Sequence, residues 1–144
     1  MNRRRALLGV AALGLGALRG ATAAGPAPVR VVYHVADGLP QATRALRQLK
    51  NHLRADPSAR IVVVALSDGI DFLLQDAVDD GNYPYALLVE PLAVQGVQFR
   101  VCRNTLDVRL IERSRVLEGV EIVPSGIAEI ARLQAHEGYA YVRP

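Results

Sequence analysis

Residues 61–66 read Ile-Val-Val-Val-Ala-Leu, six apolar side chains in a row. Side chains alternate across a strand, so a run without a polar member must be buried on both faces. Such a strand is central, and its faces are covered by the helices of βαβ crossovers. The rest of the chain fits this frame. Strand character recurs at residues 29–35 (VRVVYHV), 97–101, 121–123 and 139–142, with helical spacing between. Ala42, Ala45, Leu46, Leu49 and Leu53 trace one helix face, with Pro40 in its first turn and Pro57 ending it. A second helix is expected over 70–78, and a helix that kinks or begins near Pro91 over 83–95. A further helix, capped by Asn104, is expected to run through Leu106, Leu110 and Ile111 to about Ser114. The last spans 125–136 with Ile127, Ile130 and Ala131 inward and Gly138 stopping it. The expected fold class is therefore α/β, with a mostly parallel sheet of about five strands and helices on its faces, joined by right-handed crossovers.

Residues 1–23 read as a targeting segment. Arg3 to Arg5 precede an apolar run over 6–18, and Ala21-Thr22-Ala23 forms a small-residue cleavage site. Asn2-Arg3-Arg4-Arg5-Ala6-Leu7 approximates the twin-arginine pattern. The run is too short to span a bilayer. The expectation is a signal peptide over 1–23, a single domain over 24–144, a periplasmic location and no membrane span after cleavage. Four of the 17 Lys and Arg lie in this leader, which leaves 13 against 14 Asp and Glu. A near-neutral domain lacks the basic stripe that displaces counterions from phosphates, so nucleic acid is excluded as a partner.

Cys102 is the one cysteine of the chain. In an oxidising compartment it has no internal partner, so it is free, intermolecular or chemically used. Residues 96–111 deliver it from a strand to a helix start, where unpaired backbone amides favour an ionised thiol, and Arg100 and Arg103 flank it. Two readings stand at this point: a reactive thiolate, or a small buried apolar side chain.

Sites in parallel sheets form where loops leave the carboxyl ends of strands. Those ends carry His34, Asp68, Cys102 with Arg103 and Asn104, and Ser125 with Gly126, whose amides at a helix start suit an anion. Taken singly, each of Asp68, Ser125 and Gly126 is also ordinary turn and cap chemistry. A phosphatase-type loop would need an arginine where Val108 stands. There is no Gly-rich nucleotide loop after a strand, and His34, His52 and His136 are scattered, so neither a cofactor nor a metal is expected.

At Cys102 the chain resembles a known family. GVQFRVC, residues 96–102, is similar to the segment before the sulfur-accepting cysteine of DsrE/DsrF-like and TusD-like proteins, and the likeness extends to the VPSG turn at 123–126 and the closing LQAHEGYAYVRP. The resemblance implies a three-layer α/β/α domain, assembly as a homotrimer or homohexamer, and a cysteine that carries sulfur as a persulfide, the role that falls to Cys102 by position. Relay members of that family are cytoplasmic and use dedicated protein donors and acceptors, whereas this chain carries an export signal. The leading expectation is a sulfur carrier or sulfurtransferase, with Arg100 or Arg103 stabilising the anion. The alternatives are a non-catalytic oligomeric protein that binds a small ligand in the strand-end cleft, and a thiol redox sensor, which would need an intersubunit partner for Cys102.

Overall fold

The computed structural model describes residues 24–144, so the expected leader lies outside the described residues. Five strands, β1 (Arg30–Val35), β2 (Arg60–Ala65), β3 (Gln98–Cys102), β4 (Glu121–Val123) and β5 (Ala140–Val142), form one sheet in the order β4-β3-β2-β1-β5. All four pairings are parallel. The doubly apolar run becomes β2, the middle strand, as its pattern requires.

Strand alternation sorts the core into two unequal halves. Val31, Tyr33, Val35, Ile61, Val63, Ala65, Phe99 and Val101 face the larger one, under α1 (Leu39–Ala55) and α2 (Ala86–Val94). Val32, Val62 and Val64 face the smaller one, covered by Ile130 and Leu133 of α4 (Gly126–Glu137). Handedness explains the division. From β1 to β4 the chain moves steadily towards one edge, and right-handed crossovers put α1, α2 and the short α3 (Arg103–Val108) on one face. The connection from β4 to β5 runs back across the whole sheet, so the same handedness puts α4 on the other face. Adjacent strands β3 and β4 thus send their chains to opposite sides, and a crevice opens between their carboxyl ends.

Several local expectations are corrected. Residues 70–78 form no α-helix: a 3-10 turn covers Ser67–Leu73, and the chain then runs in an irregular path bridged by Leu74 to Val116 and Val78 to Pro84. Left-handed backbone at Ser67 (φ 51°) and Asp76 (φ 67°) interrupts any helix there. Helix α2 begins at Ala86 and keeps Pro91 inside it rather than starting there. The third helix starts two residues early, with Cys102 rather than Asn104 at the capping position, and ends at Val108, short of Ser114. Leu110, with φ 54° and 91% exposed, closes it. In α4 Ile130 and Leu133 point inward, but Ile127 and Ala131 are exposed; Gly138, with φ 69°, ends the helix as expected.

Candidate functional site

Cys102 ends β3 opposite Val123 of β4, with its side chain on the α4 face, and so stands in the crevice where the crossovers diverge. It is a free thiol, 6% exposed. The groups that act on the thiol as donors, lowering its pKa, are the backbone amides of Gly126, Thr105 and Asn104 and the Thr105 hydroxyl. Burial pushes the thiol pKa up, but these donors prevail and hold it below its ordinary value. The donors converge from two helix starts. Asn104 and Thr105 open α3, and Gly126 opens α4. A side chain at 126 would crowd its neighbours: a Cβ there would lie 3.2 Å from the Cβ of Cys102 and 3.0 Å from Leu66. Glycine lets the α4 backbone reach the sulfur.

The other residues expected at the site fall into three groups. Asn104 and Gly126 act on the thiol through their backbone amides, and Ser125 supports Gly126 by capping α4, its Oγ accepting from the Ala128 amide at 3.3 Å. Asp68 lines a cleft beside Cys102 of about 390 Å³, walled by Ser67, Asp68, Asn104, Thr105, Val108 and Arg109. Arg103 opens α3 next to the thiol and makes no ion pair among the described residues. Arg100 and His34 lie apart. Arg100 shares the face of Cys102, but its guanidinium is bound by Glu129 of α4 and, at 3.1 Å, by Glu121 of β4, and it also donates to Gln98 at 2.7 Å. With its charge matched by carboxylates, the hydrogen-bond donors rather than Arg100 lower the thiol pKa.

His34 stands two strands from Cys102, in register with Val64 and Arg100. It is 7% exposed, and its Nδ1 shares a hydrogen bond of 2.7 Å with the Tyr141 hydroxyl. Its Nε2 is buried without a hydrogen-bond partner among the described residues. Burial, and then the charge of Arg143, lower its pKa against the opposing pull of Asp37. Gln41, unnoticed as a site residue in the sequence, ties down this corner. From inside α1 its Oε1 accepts from the amides of Ala36 and Asp37, both at 2.7 Å, and its Nε2 donates to the carbonyls of His34 and Pro144. Thr105 was also missed. A side chain three residues into a helix gives no sign of reaching back to the residue before it.

A second hollow, of about 400 Å³, lies on the α2 face between that helix and residues 117–120; its ionisable side chains are Glu90 and Glu118, and it holds no nucleophile. No group of three or more His, Cys, Asp or Glu able to hold a metal occurs among the described residues. No helix among them is long and apolar enough to cross a membrane.

The family model described as DsrE/DsrF-like matches residues 11–144. The chain belongs to the DsrE/DsrF-like family. Its match begins at residue 11 and takes in every element described above. Among solved structures the chain is similar to MTH1491 from Methanobacterium thermoautotrophicum, a protein of unknown function. The two are 37% identical, with a TM-score of 0.71 over 81% of this chain and 99% of that one. It is also similar in fold to the ychN protein from E. coli, at 19% identity and a TM-score of 0.65 over 81% of this chain and 98% of that one. No functionally curated protein matches the chain. These likenesses agree with the three-layer α/β/α architecture and its all-parallel sheet.

Proposed function

We propose that this DsrE/DsrF-like protein is an exported sulfur carrier that holds sulfur as a persulfide on Cys102. The observation that carries this reading is the set of donors acting on the sulfur: three amides and a hydroxyl lower the thiol pKa, and two of the residues that supply them, Asn104 and Thr105, also wall a cleft. The Cys102 thiolate attacks the terminal sulfur of a donor persulfide, R–S–SH. A new S–S bond forms, the donor's S–S bond breaks, and R–S⁻ leaves with its electron pair, so no external oxidant or reductant is needed. Transfer to an acceptor thiolate is the same exchange in reverse. The same amides suit the negative charge of the loaded persulfide. Arg103, beside the thiol, adds a positive charge for the anionic donor or product. The twin-arginine-like start and the Ala-x-Ala site support a periplasmic location, and the resemblance to the family supports a homotrimer or homohexamer.

The deciding experiment incubates the folded protein with a small persulfide and reads its intact mass. Wild type gains one sulfur atom and releases it to an added thiol, and Cys102→Ser gains none. A wild-type mass that does not change on incubation sinks the carrier reading. The cleft favours a second reading, a binding protein without turnover. Its mark is a Cys102→Ser variant that binds a small ligand as well as wild type does.

A further inference from the structure

We propose that His34 is an acid-operated latch for the last strand: protonation of its buried imidazole releases β5 from β1. The fold leaves one atom of this ring without a bond. His34 is 7% exposed on the α4 face of β1; its Nδ1 shares a hydrogen bond of 2.7 Å with the Tyr141 hydroxyl, and its Nε2 is buried with no partner among the described residues. A neutral imidazole has one bare nitrogen, and with Nδ1 donating to the tyrosine that nitrogen is Nε2. Protonation turns both nitrogens into donors. The closed fold then holds a charged ring with an N–H that has nothing to bond, which is far costlier than a bare lone pair.

Strand β5 hangs on few ties. It is an edge strand, and its ladder to β1 pairs only Val31 with Ala140, Val32 with Tyr141 and Tyr33 with Val142. Side chains supply the rest. Tyr141 meets His34, Arg143 donates to both carboxylate oxygens of Asp37 at 2.8 Å, and Gln41 Nε2 donates to the main-chain oxygen of Pro144 at 3.2 Å. Arg143 has two parts here, since it anchors the strand and also sets a positive charge near His34. Asp37 pulls the other way, but its carboxylate is already paired with Arg143, and Arg44 of α1 adds positive charge near it. On the remaining sides β2 brings Val64 in register, and α4 carries Glu129 and Arg132, paired with Arg100 and with each other, and His136 in its last turn. Across the sheet, His52 of α1 meets Tyr33 of β1 at 3.0 Å. When β5 leaves, Arg143 goes with it and water reaches Nε2, so the open form takes up the proton that the closed form resists. Release is therefore favoured as pH falls below the ordinary imidazole value of 6.5. It bares the edge of β1, a row of main-chain donors and acceptors open to another strand.

The test is hydrogen exchange of the folded full chain between about pH 7.5 and about pH 5.5, read by mass spectrometry. Exchange of residues 139–142 is divided by that of residues 61–65 of the central strand in the same sample, which cancels the chemical pH dependence of exchange itself. The ratio is expected to rise severalfold on acidification, up to about tenfold, the limit that an ordinary value of 6.5 sets over this range. His34→Gln keeps a polar side chain that does not titrate, and should give a flat profile whatever its level. If that variant fails to fold, His34→Asn, whose amide stands where Nδ1 does, takes its place. His52→Gln and His136→Gln should keep the rise. NMR titration of the wild-type imidazoles is the independent check, with His34 still neutral where an ordinary histidine is charged. A ratio indifferent to pH, a rise that survives loss of His34, a rise abolished at His52 or His136, or a His34 that titrates at the ordinary value overturns the proposal.

Discussion

Two polar side chains are buried at the carboxyl end of the sheet on its α4 face, and their surroundings are opposites. Cys102, in the crevice between β3 and β4, has hydrogen-bond donors from two helix starts on its sulfur. His34, near the end of β1, has one bond to Tyr141, an unpartnered Nε2 and the positive charge of Arg143 nearby. Both pKa values are lowered. In the first case the protein welcomes an anion in spite of burial; in the second, burial refuses a cation. The comparison teaches that depth alone does not set reactivity. A buried group is chemically poised when the backbone around it has bonds to give, and silent when it has none.

The largest expected effect separates structural charge from the thiol. Arg100→Met leaves Glu129, itself largely buried, with Arg132 alone, and is expected to cost about 2 to 3 kcal/mol in denaturant unfolding. The pH profile of Cys102 should not move. A shift of that profile would return Arg100 to the site.

Next in size is Gly126→Ala. Its Cβ must displace either Leu66 or the Cys102 Cβ, at a cost of about 1 to 2 kcal/mol, and the amide withdraws from the sulfur. The thiol midpoint should rise, as followed by mass-detected alkylation across pH. An unchanged midpoint would mean that α4 contributes packing and no hydrogen bond.

The smallest effect lies on the histidine side. Tyr141→Phe removes one partly buried hydrogen bond, worth about 1 kcal/mol. The pH dependence of stability has a definite sign for each group. His34 takes up its proton less readily folded than unfolded, so its neutral form is fully compatible with the fold above the ordinary value of 6.5, and stability is lost as pH falls from there through its folded pKa. Cys102 contributes in a higher window: its bonds to the thiolate are fully counted above the ordinary value of 9.0 and are lost as pH falls through its lowered pKa. Melting curves of His34→Gln should lack the acidic window, and those of Cys102→Ser the alkaline one. Identical pH curves for wild type and both variants would remove the contrast.

The sheet was legible because its signals are local. Residues 61–66 required a central strand from their own pattern, Gly138 marked a helix end, and residues 121–123 were read with the bounds they have in β4. The turn after β2 was not legible. Ile70, Phe72, Leu73 and Val78 have a spacing that suits a helix, and nothing at Ser67 or Asp76 announces left-handed backbone. The same holds for Leu110, where a glycine would have shown the break after Val108. At the site, the cysteine and the helix starts were visible. The contact between Gly126 and Cys102 was not, because it depends on β4 pairing with β3 and on α4 crossing to the other face. Arg100 was misread as a partner of the sulfur for the same reason: its partners Glu121 and Glu129 are brought to it only by tertiary pairing.

The distance in sequence between Gly126 and Cys102 has a consequence for the birth of the protein. During synthesis the cysteine emerges before β4 and α4, and at that stage Gly126 has no way to reach it. A chain elongated only as far as Leu110 carries a thiol without the α4 amide, closer in acidity to that of a free cysteine. The full set of donors gathers only when β4 and α4 have docked. Folding thus acts as the arming step, and a nascent or misfolded copy presents a duller nucleophile to its surroundings than a finished one.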